Sequence, residues 1–319
     1  MAPSPLVDLP TAAGLALGSL ADAALGDPRR RHPVAGFGQA AAPLERRVWR
    51  DDRATGAAYW AVCVGTVTAL GTAADRSTRS RPLTRAALTA LVTWSVLGGT
   101  SLGRAGTTMA GHLTADDLPA ARAHLSSLAG RDPSSLGEAE LVRATVESVA
   151  ENTSDAAVAP LVWGAVAGLP GLVAYRAVNT LDAMVGYRSD RYLRFGWASA
   201  RADDVANWLP ARLTAALTVA VAPLVGGSAG GALRIWRRDG AAHPSPNSGR
   251  CEAAAAGALG IRLGGRNVYG TRVEERPTMG DGAPPVRADV ARAVALSRAV
   301  WTASAALAVL TRLLARPRR

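Results

Sequence analysis

The sequence predicts an all-α, multi-pass helical integral membrane protein with about four to six spans in one membrane-embedded domain, residues 1–319. The chain is 49% hydrophobic with a mean hydropathy of +0.10, which is apolar for a soluble protein. Its apolar residues are concentrated in runs separated by polar stretches. A soluble protein with Ala-rich core helices is the alternative, but the runs at 57–74 and 86–103 contain no charged residue, which favours a membrane protein.

Six runs are long enough to span or enter a bilayer, at about 9–26, 57–74, 86–103, 156–175, 210–233 and 293–315. They are rich in Ala and Gly, residues that favour close packing of membrane helices. The first contains Asp22, and the last contains Arg298 and Arg312. We expect the polar regions at about 104–155, 176–209 and 234–292 to form the active-site side.

The distribution of arginine predicts the orientation. The positive-inside rule places the arginine-rich loop at 29–53, the stretch at 76–85 and the tail with Arg316, Arg318 and Arg319 in the cytoplasm. One span cannot separate two cytoplasmic loops, so either the 57–74 run re-enters or is not a span, or one arginine loop is external. We expect a cell-membrane protein whose active site faces the cytoplasm.

Charge and cysteine usage exclude several classes. The net charge is +11, and all 36 basic residues are arginine. They are scattered between apolar runs and form no basic helix with interleaved aromatics, so no nucleic-acid partner is expected. Cys63 and Cys251 are far apart, which excludes a disulfide framework or a cysteine zinc site. Residues 1–20 carry Asp8 and no arginine, so we expect no cleaved signal peptide.

The strongest local motif is a run of acids. Glu147, Glu151 and Asp155 recur every four residues and share about an 80° arc of a helix. Carboxylates stacked in this way repel one another unless a cation neutralises them, so a hard divalent ion such as Mg²⁺ is the natural partner. A solvated helix face is the alternative, but this face continues into an apolar run, where acids are costly.

Two further segments, each beside an apolar run, combine an arginine with Asp and Asn side chains at helical spacing. Arginine binds phosphate or carboxylate with two parallel hydrogen bonds, and Asp and Asn oxygens bind a hard cation. Helix-end salt bridges are the alternative, but two segments with matching chemistry favour a functional site. These residues are Arg176, Asn179 and Asp182 in one segment, and Arg201, Asp203, Asp204 and Asn207 in the other, followed by Arg212.

A polar turn precedes an Ala-rich run near residue 250. His243, Ser245 and Asn247 belong to a His-Pro-Ser-Pro-Asn-Ser-Gly segment that predicts a rigid turn at a helix N-terminus, a potential anion site. An ordinary turn is the alternative. No Walker-type phosphate loop occurs in the chain, so ATP would be held in another way.

The ordered set of motifs resembles one family, the adenosylcobinamide-phosphate synthases known as CobD or CbiB. The motifs are Gly26-Asp27-Pro28 with His32-Pro33, Glu147-Ser148, Glu151-Asn152, Tyr175-Arg176 through Asp182, Asp203-Asp204, Pro210-Ala211-Arg212 and Ser245-Pro246-Asn247. The resemblance covers about residues 14–285 and is densest at 147–212. Arg250-Cys251 stands where the family pattern leads us to expect more apolar residues.

The resemblance implies an integral membrane enzyme that joins a propionate carboxylate of cobyric acid to aminopropanol or its O-phosphate, using ATP and Mg²⁺. Its partners would be the corrinoid, the amino alcohol, the lipid bilayer and other cobalamin-pathway enzymes. Such chemistry requires cations to offset the charge of an activated carboxylate.

The site residues follow from combining this chemistry with the motifs. We expect Glu147, Glu151, Asp155 and His243 to be catalytic, with one of the acids or His243 as the general base. Magnesium would be held by Glu147, Glu151, Asp203 and Asp204, with Asp155 contributing. The expected substrate- and phosphate-binding residues are Arg176, Asn179, Asp182, Arg201, Asn207, Arg212, Ser245 and Asn247.

Two other functions have to be weighed. A membrane prenyl- or phosphotransferase would also hold Mg²⁺ with aspartates, but Asp203-Asp204 is followed by Asn207 and not by the third acid of an Asp-Asp-x-x-Asp motif. A membrane transporter would place acids and arginines within its spans, whereas here they cluster in loops and at helix ends.

Overall fold

The computed structural model describes residues 8–28, 32–129, 133–134, 136–269 and 272–314. Arg29 and the arginine tail used above for orientation lie outside these residues. The described chain is predominantly helical, which confirms the predicted fold class. In chain order the elements are α1 (Leu9–Leu25), α2 (Pro33–Val48), α3 (Arg53–Ser77), α4 (Pro82–Val96), α5 (Gly99–Thr114), α6 (Leu118–Leu125), α7 (Glu138–Thr153), a π-helix (Ser154–Val158), α8 (Ala159–Ala167), α9 (Leu169–Val185), α10 (Trp197–Ala206), α11 (Trp208–Val221), a 3₁₀-helix (Ala222–Val225), α12 (Ala229–Asp239), α13 (Ser248–Leu259), β1 (Leu263–Tyr269), β2 (Arg272–Met279) and α14 (Arg287–Leu314).

Within the residues that the structure describes, four helical segments are long and apolar enough to cross a membrane, which agrees with a multi-pass protein. They are Arg53–Ser77, Pro82–Thr114, Trp208–Val225 and Arg287–Leu314. Three of the predicted runs, 57–74, 86–103 and 293–315, fall within or almost within these segments. The run at 9–26 forms α1, which is apolar but has only 17 residues.

Helix α3 has the surface of a lipid-facing span. Only 17% of its most apolar window is buried, and large apolar side chains such as Val62 and Leu70 are exposed. A helix that is apolar on its exposed side is expected where lipid takes the place of water. The helix is continuous over 25 residues, so it contains no re-entrant turn, one of the explanations considered for the conflicting arginine loops.

Two of the predicted spans are wrong in their boundaries. The run at 156–175 is divided at Gly168, whose φ of +66° ends α8, and Pro170 then lies in the first turn of α9. The run at 210–233 ends as a helix at Val225, because Gly226 adopts a left-handed conformation before α12 begins. In both cases the run is apolar in composition, but a glycine with positive φ breaks the helix within it.

The π-helix lies directly after the acidic run of α7. Pro160 follows it, and proline lacks an N–H and clashes with the carbonyl four residues earlier in a regular α-helix. A wider turn just before a proline relieves this conflict, and π turns are frequent at functional sites. Asp155 therefore lies in the π-helix and not in the same regular helix as Glu147 and Glu151.

The chain forms two compact units. Unit 1 comprises Met1–Gly98, Ala159–Asn207 and Ser304–Arg319, and unit 2 comprises Gly99–Val158 and Trp208–Ala303. The single domain inferred from the sequence stays a prediction.

In unit 1, α1 packs closely against α4 through small residues. A Cβ on Gly14 would lie 2.4 Å from the Cβ of Thr89, and one on Gly18 would lie 2.5 Å from that of Thr93. Such close approach is typical of membrane helices. The charge of Arg312 in the last predicted span is also accommodated here, because the guanidinium donates to the carbonyl of Gly164 and pairs with Asp8 at 3.4 Å.

Unit 2 contains an antiparallel hairpin that the sequence did not predict. Strands β1 and β2 pair from Leu263 opposite Met279, with an irregularity between Leu263 and Gly265. Gly264 and Gly265 have φ values of +85° and +89°, which only glycine adopts without strain. The hairpin is short, and the fold class stands.

Candidate active site

The predicted Arg-Asn-Asp segments of unit 1 lie side by side on α9 and α10. Asp203 is the centre of their contacts, since its carboxylate accepts hydrogen bonds from Asn179 Nδ2 at 3.3 Å and Asn207 Nδ2 at 2.9 Å. Asn207 Oδ1 in turn accepts from the buried hydroxyl of Tyr175 at 2.8 Å. Arg176 reaches Asn179 Oδ1 at 3.4 Å. Two motifs separated in the sequence thus form one polar network between two helices.

Beside this network lies a cavity of about 330 Å³ with a basic lining. Arg53, Arg188 and Arg201 line it, together with Asp204 and the aromatic side chains Tyr187, Tyr192 and Trp197. Only Arg201 among the three arginines forms an ion pair within the described residues, with Asp204 at 3.7 Å. The lining therefore carries three positive charges against one negative charge and is suited to an anion.

The charge of Asp204 is tuned by opposing effects. Burial raises the pKa of its carboxyl above the ordinary value of 3.8, while Arg201 and Arg188 act to lower it. Asp204 supplies the one carboxylate among the described residues that line the cavity. It offers a hard oxygen ligand or a partner for an ammonium group.

The wall of the cavity is tied to α2. Glu45 is buried and accepts hydrogen bonds from Arg191 Nη2 at 2.9 Å and from the Tyr192 hydroxyl at 3.3 Å. The Arg191 guanidinium also lies 4.8 Å from the centre of the Trp49 ring, and the Trp49 indole donates to the Arg191 carbonyl. These contacts hold the segment that carries Tyr192 in place.

The acids of unit 2 are engaged in different contacts. Glu147 is 1% exposed, and its Oε1 accepts from the backbone N–H of Gly264 at 2.9 Å. Arg143 donates to the carbonyl of Gly264 at 2.5 Å and lies 3.9 Å from Glu147. The pair clamps one residue of the hairpin from both sides, a structural role that spacing alone did not indicate.

Glu151 contacts the polar turn that precedes α13. Its Oε1 accepts from the Ser248 hydroxyl at 2.6 Å, and Ser248 Oγ lies 3.0 Å from Ser245 Oγ. Ser245 Oγ also accepts from the backbone N–H groups of Asn247 and Ser248, at 3.3 and 3.2 Å. The sequence predicted a potential anion site at this helix N-terminus. These two N–H groups are instead hydrogen-bonded to Ser245 within the turn.

His243 is the other member of this turn. It is 8% exposed, and its Nδ1 accepts from the backbone N–H of Ser245 at 3.0 Å. Burial, followed by the charge of Arg276, lowers the pKa of His243 below its ordinary value of 6.5, while the charges of Glu151 and Glu147 oppose this. The imidazole is therefore neutral at physiological pH.

The remaining predicted residues are placed as follows. The thiol of Cys251 is buried and lies near Asp155 and Glu151. Burial, followed by these two negative charges, raises the pKa of the thiol well above its ordinary value. Arg212 stacks on Trp208, with its guanidinium 4.1 Å from the ring centre, and donates to the Trp208 carbonyl. Asp182 lies beside Gly186, at the end of α9.

A magnesium site made of protein ligands alone is not assembled in the described part of the chain. No group of three or more His, Cys, Asp or Glu side chains there is arranged to hold a metal ion. The Glu147 carboxylate is already engaged with the Gly264 amide. Asp203 is also engaged, with Asn179 and Asn207, whereas Asp204 lines the basic cavity. Mg²⁺ that arrives with a phosphate takes only one or two carboxylates and completes its shell with phosphate oxygens and water.

Two lining arginines were missed from the sequence. Arg53 begins α3, and Arg188 follows α9 in a segment with no regular helical spacing. The only available signal was Arg188 close after the Gly186-Tyr187 pair that ends α9. Nothing local to Arg53 links it to a segment more than a hundred residues later.

Comparison with known proteins identifies the family. A family model described as "CobD/Cbib protein" matches residues 15–297. The "Cobalamin biosynthesis protein CobD" of Mycobacterium tuberculosis strain H37Rv is 55% identical over 300 residues, covering 94% of this chain and 95% of that protein. The protein of the same name from Geobacter metallireducens is 47% identical over 274 residues, covering 84% of this chain and 86% of its own length. No solved structure matches the chain.

These matches and the helical architecture place the protein among helical membrane proteins with a role in cobalamin biosynthesis, and a corrinoid is the substrate class that this role implies. The resemblance noted from the motifs is thereby confirmed, and the chain belongs to the CobD/CbiB family.

Proposed function

We propose that this protein is an ATP- and Mg²⁺-dependent ligase that forms an amide between a propionate carboxylate of cobyric acid and aminopropanol or its O-phosphate. The proposal rests on the family and on one structural observation, the cavity lined by Arg53, Arg188 and Arg201 with Asp204. Its lining has the charge expected for a small phosphorylated substrate. We further propose that the protein works in the cell membrane with its active site facing the cytoplasm.

The reaction needs an activated carboxylate. A carboxylate oxygen takes the γ-phosphoryl group of ATP, releasing ADP and giving an acyl phosphate. The amine then attacks the carbonyl carbon, inorganic phosphate leaves, and the amine nitrogen loses a proton to a base. Both steps gather negative charge, which positively charged side chains held in position stabilise.

The cavity suits the phosphate ester of the amino alcohol. A phosphate monoester carries about −1.5 to −2 charge at neutral pH, and the lining arginines exceed the lining carboxylates by two. Asp204 supplies an oxygen that could pair with the ammonium group of the same molecule. A volume of about 330 Å³ accommodates such a ligand.

Magnesium would be held at Asp203 and Asp204, together with phosphate oxygens. When bound, it supplies Lewis acidity and neutralises phosphate charge. Asp203 is oriented for such a role by Asn179 and Asn207, which fix its two oxygens. The base for the attacking amine would be one of the acids, such as Glu151 or Asp155, or His243.

The reaction is tested with membranes that contain the full chain. They are incubated with cobyric acid, aminopropanol phosphate, ATP and Mg²⁺, and the amide product is detected by mass spectrometry. Glu151→Gln and Asp204→Asn should each lose most of the activity while still inserting into the membrane. Absence of product from correctly inserted protein would contradict the proposed reaction, and full activity in both variants would contradict the residue roles.

The cavity is tested by a matched pair of arginine variants. Arg188→Gln should raise the KM for aminopropanol phosphate about tenfold, because one charged hydrogen bond to phosphate is worth about 1.5 kcal/mol. Its kcat should stay close to that of the unchanged protein. Arg194→Gln is the control, since Arg194 pairs with Asp51 at 3.8 Å and does not line the cavity. Equal effects of both changes on KM would contradict the assignment of the phosphate to this cavity.

A further inference from the structure

His243 holds a buried nitrogen that forms no hydrogen bond within the described residues. The side chain is 92% buried, and its Nε2 has no partner there. A buried donor or acceptor left without a hydrogen bond costs about 1–3 kcal/mol, so such groups are rare unless something else binds them. In the same turn, the Ser245 and Ser248 hydroxyls and the Ser245 and Ser248 amides are hydrogen-bonded.

The neighbouring backbone decides which nitrogen of His243 carries the proton. A backbone N–H can only donate, and the N–H of Ser245 points at Nδ1 from 3.0 Å. Nδ1 must therefore offer its lone pair, which leaves the hydrogen of the neutral ring on Nε2. The free nitrogen is a donor.

The His243 side chain is also held by close packing. A Cβ on Gly249 would lie only 2.3 Å from the Cβ of His243, so the backbone of α13 packs directly against this side chain. The charged groups whose fields reach the imidazole are Arg276, Glu151 and Glu147. None of them forms a hydrogen bond to Nε2.

We propose that His243 acts through Nε2–H as a hydrogen-bond donor to the carbonyl oxygen of the substrate carboxyl group, and not as the general base. This role rests on the proposed amide-forming reaction. When the amine attacks, that oxygen gains negative charge, and a donor fixed beforehand stabilises it. A base at Nε2 would need a lone pair there, which the Ser245 contact excludes. The proton of the amine then goes to a carboxylate, for which Glu151, bonded to Ser248 of the same turn, is the candidate on α7.

The tautomer is read directly by nitrogen NMR. The chain has four histidines, so ¹⁵N-histidine labelling of the full protein in lipid bilayers gives few signals, and the spectrum of His243→Gln identifies those of His243. At pH 7.5 we expect a protonated Nε2 and an unprotonated Nδ1. The Nε2 signal should shift when cobyric acid is added. A protonated Nδ1, an imidazolium, or an Nε2 signal unchanged by cobyric acid would overturn the assignment.

Two variants separate donor from base in the activity assay. Glutamine places an N–H near the position of Nε2, so His243→Gln should keep activity within about tenfold, whereas His243→Phe should lose about 10²-fold or more. Equal losses in both variants would overturn the donor role. If the unchanged chain forms no amide product, the proposed function fails, and the NMR result still reports the tautomer independently.

Discussion

The contacts of Glu147 and Arg143 with Gly264 suggest that Glu147 stabilises the hairpin, and this structural role can be tested directly. The acidic run predicted Glu147 as a catalytic residue and magnesium ligand, whereas its Oε1 accepts the Gly264 N–H at 2.9 Å. We expect Glu147→Ala to loosen the hairpin. It removes a charged acceptor from a buried amide, worth about 1.5–3 kcal/mol, and leaves the Arg143 guanidinium without its carboxylate.

The expected size follows from these two losses. If local opening near Gly264 becomes easier by about 3 kcal/mol, amide exchange there should accelerate about 100-fold, since each 1.4 kcal/mol is a factor of ten. Glu147→Gln keeps an oxygen acceptor and should show a smaller change. The assay is hydrogen–deuterium exchange with mass spectrometry on the peptide that contains Gly264, using the full chain in lipid nanodiscs.

Glu140 provides a matched control on the same helix. Its carboxylate is exposed and accepts the Gly137 N–H at 2.9 Å at the start of α7, so Glu140→Ala should leave exchange at Gly264 unchanged. The structural reasoning would be refuted if Glu147→Ala abolished activity without any change in exchange at Gly264. That result would support the prediction from the sequence that Glu147 binds the metal or the substrate.

Three further changes have defined outcomes. Asp203→Asn places an amide where two asparagine side chains now donate, and it should destabilise the protein by about 2 kcal/mol, seen as a lower Tm in nanodiscs; an unchanged Tm would contradict the network. Because burial lowers the pKa of His243 below 6.5, the unfolded chain binds that proton more readily, so stability should fall as the pH drops from 7 through 6.5 toward the folded-state pKa. His243→Gln should reduce this loss of stability at low pH. Identical pH profiles of stability for the variant and the unchanged protein would contradict the role of His243. Gly249→Ala should cost about 1–3 kcal/mol through its clash with His243, whereas Gly230→Ala, with open space around it inside α12, should be neutral or stabilising; a denaturation series that ranks them equally would contradict the packing.

Features governed by local spacing were predictable from the sequence. The two segments with matching chemistry lie together, since Asn179 on α9 and Asn207 at the end of α10 both donate to Asp203. Long uncharged runs likewise correspond to helices long enough to cross a membrane. The first inference depends on helical spacing and the second on the length of an uncharged apolar run, and both are visible within a window of about ten to twenty residues.

Features that depend on distant contacts were not predictable. The Glu147 carboxylate bonds an amide 117 positions later, and no spacing within α7 reports that partner. The tautomer of His243 was also not predictable, because the hydrogen bond from the Ser245 amide to Nδ1 depends on the backbone geometry of the turn and not on residue type. The hairpin was missed because its only marker, Gly264-Gly265, also occurs in ordinary loops.

The hydrogen bond between the buried Glu45 and Arg191 shows that the amino-terminal quarter of this chain is more than a dispensable anchor. The two residues are 146 positions apart, and the segment that Arg191 fixes carries a wall of the basic cavity. A truncation that removed α2 would free that wall and leave the Arg191 charge without its counterion. Shortened versions of the protein made for easier expression should therefore begin ahead of α2 if the cavity is to keep its shape.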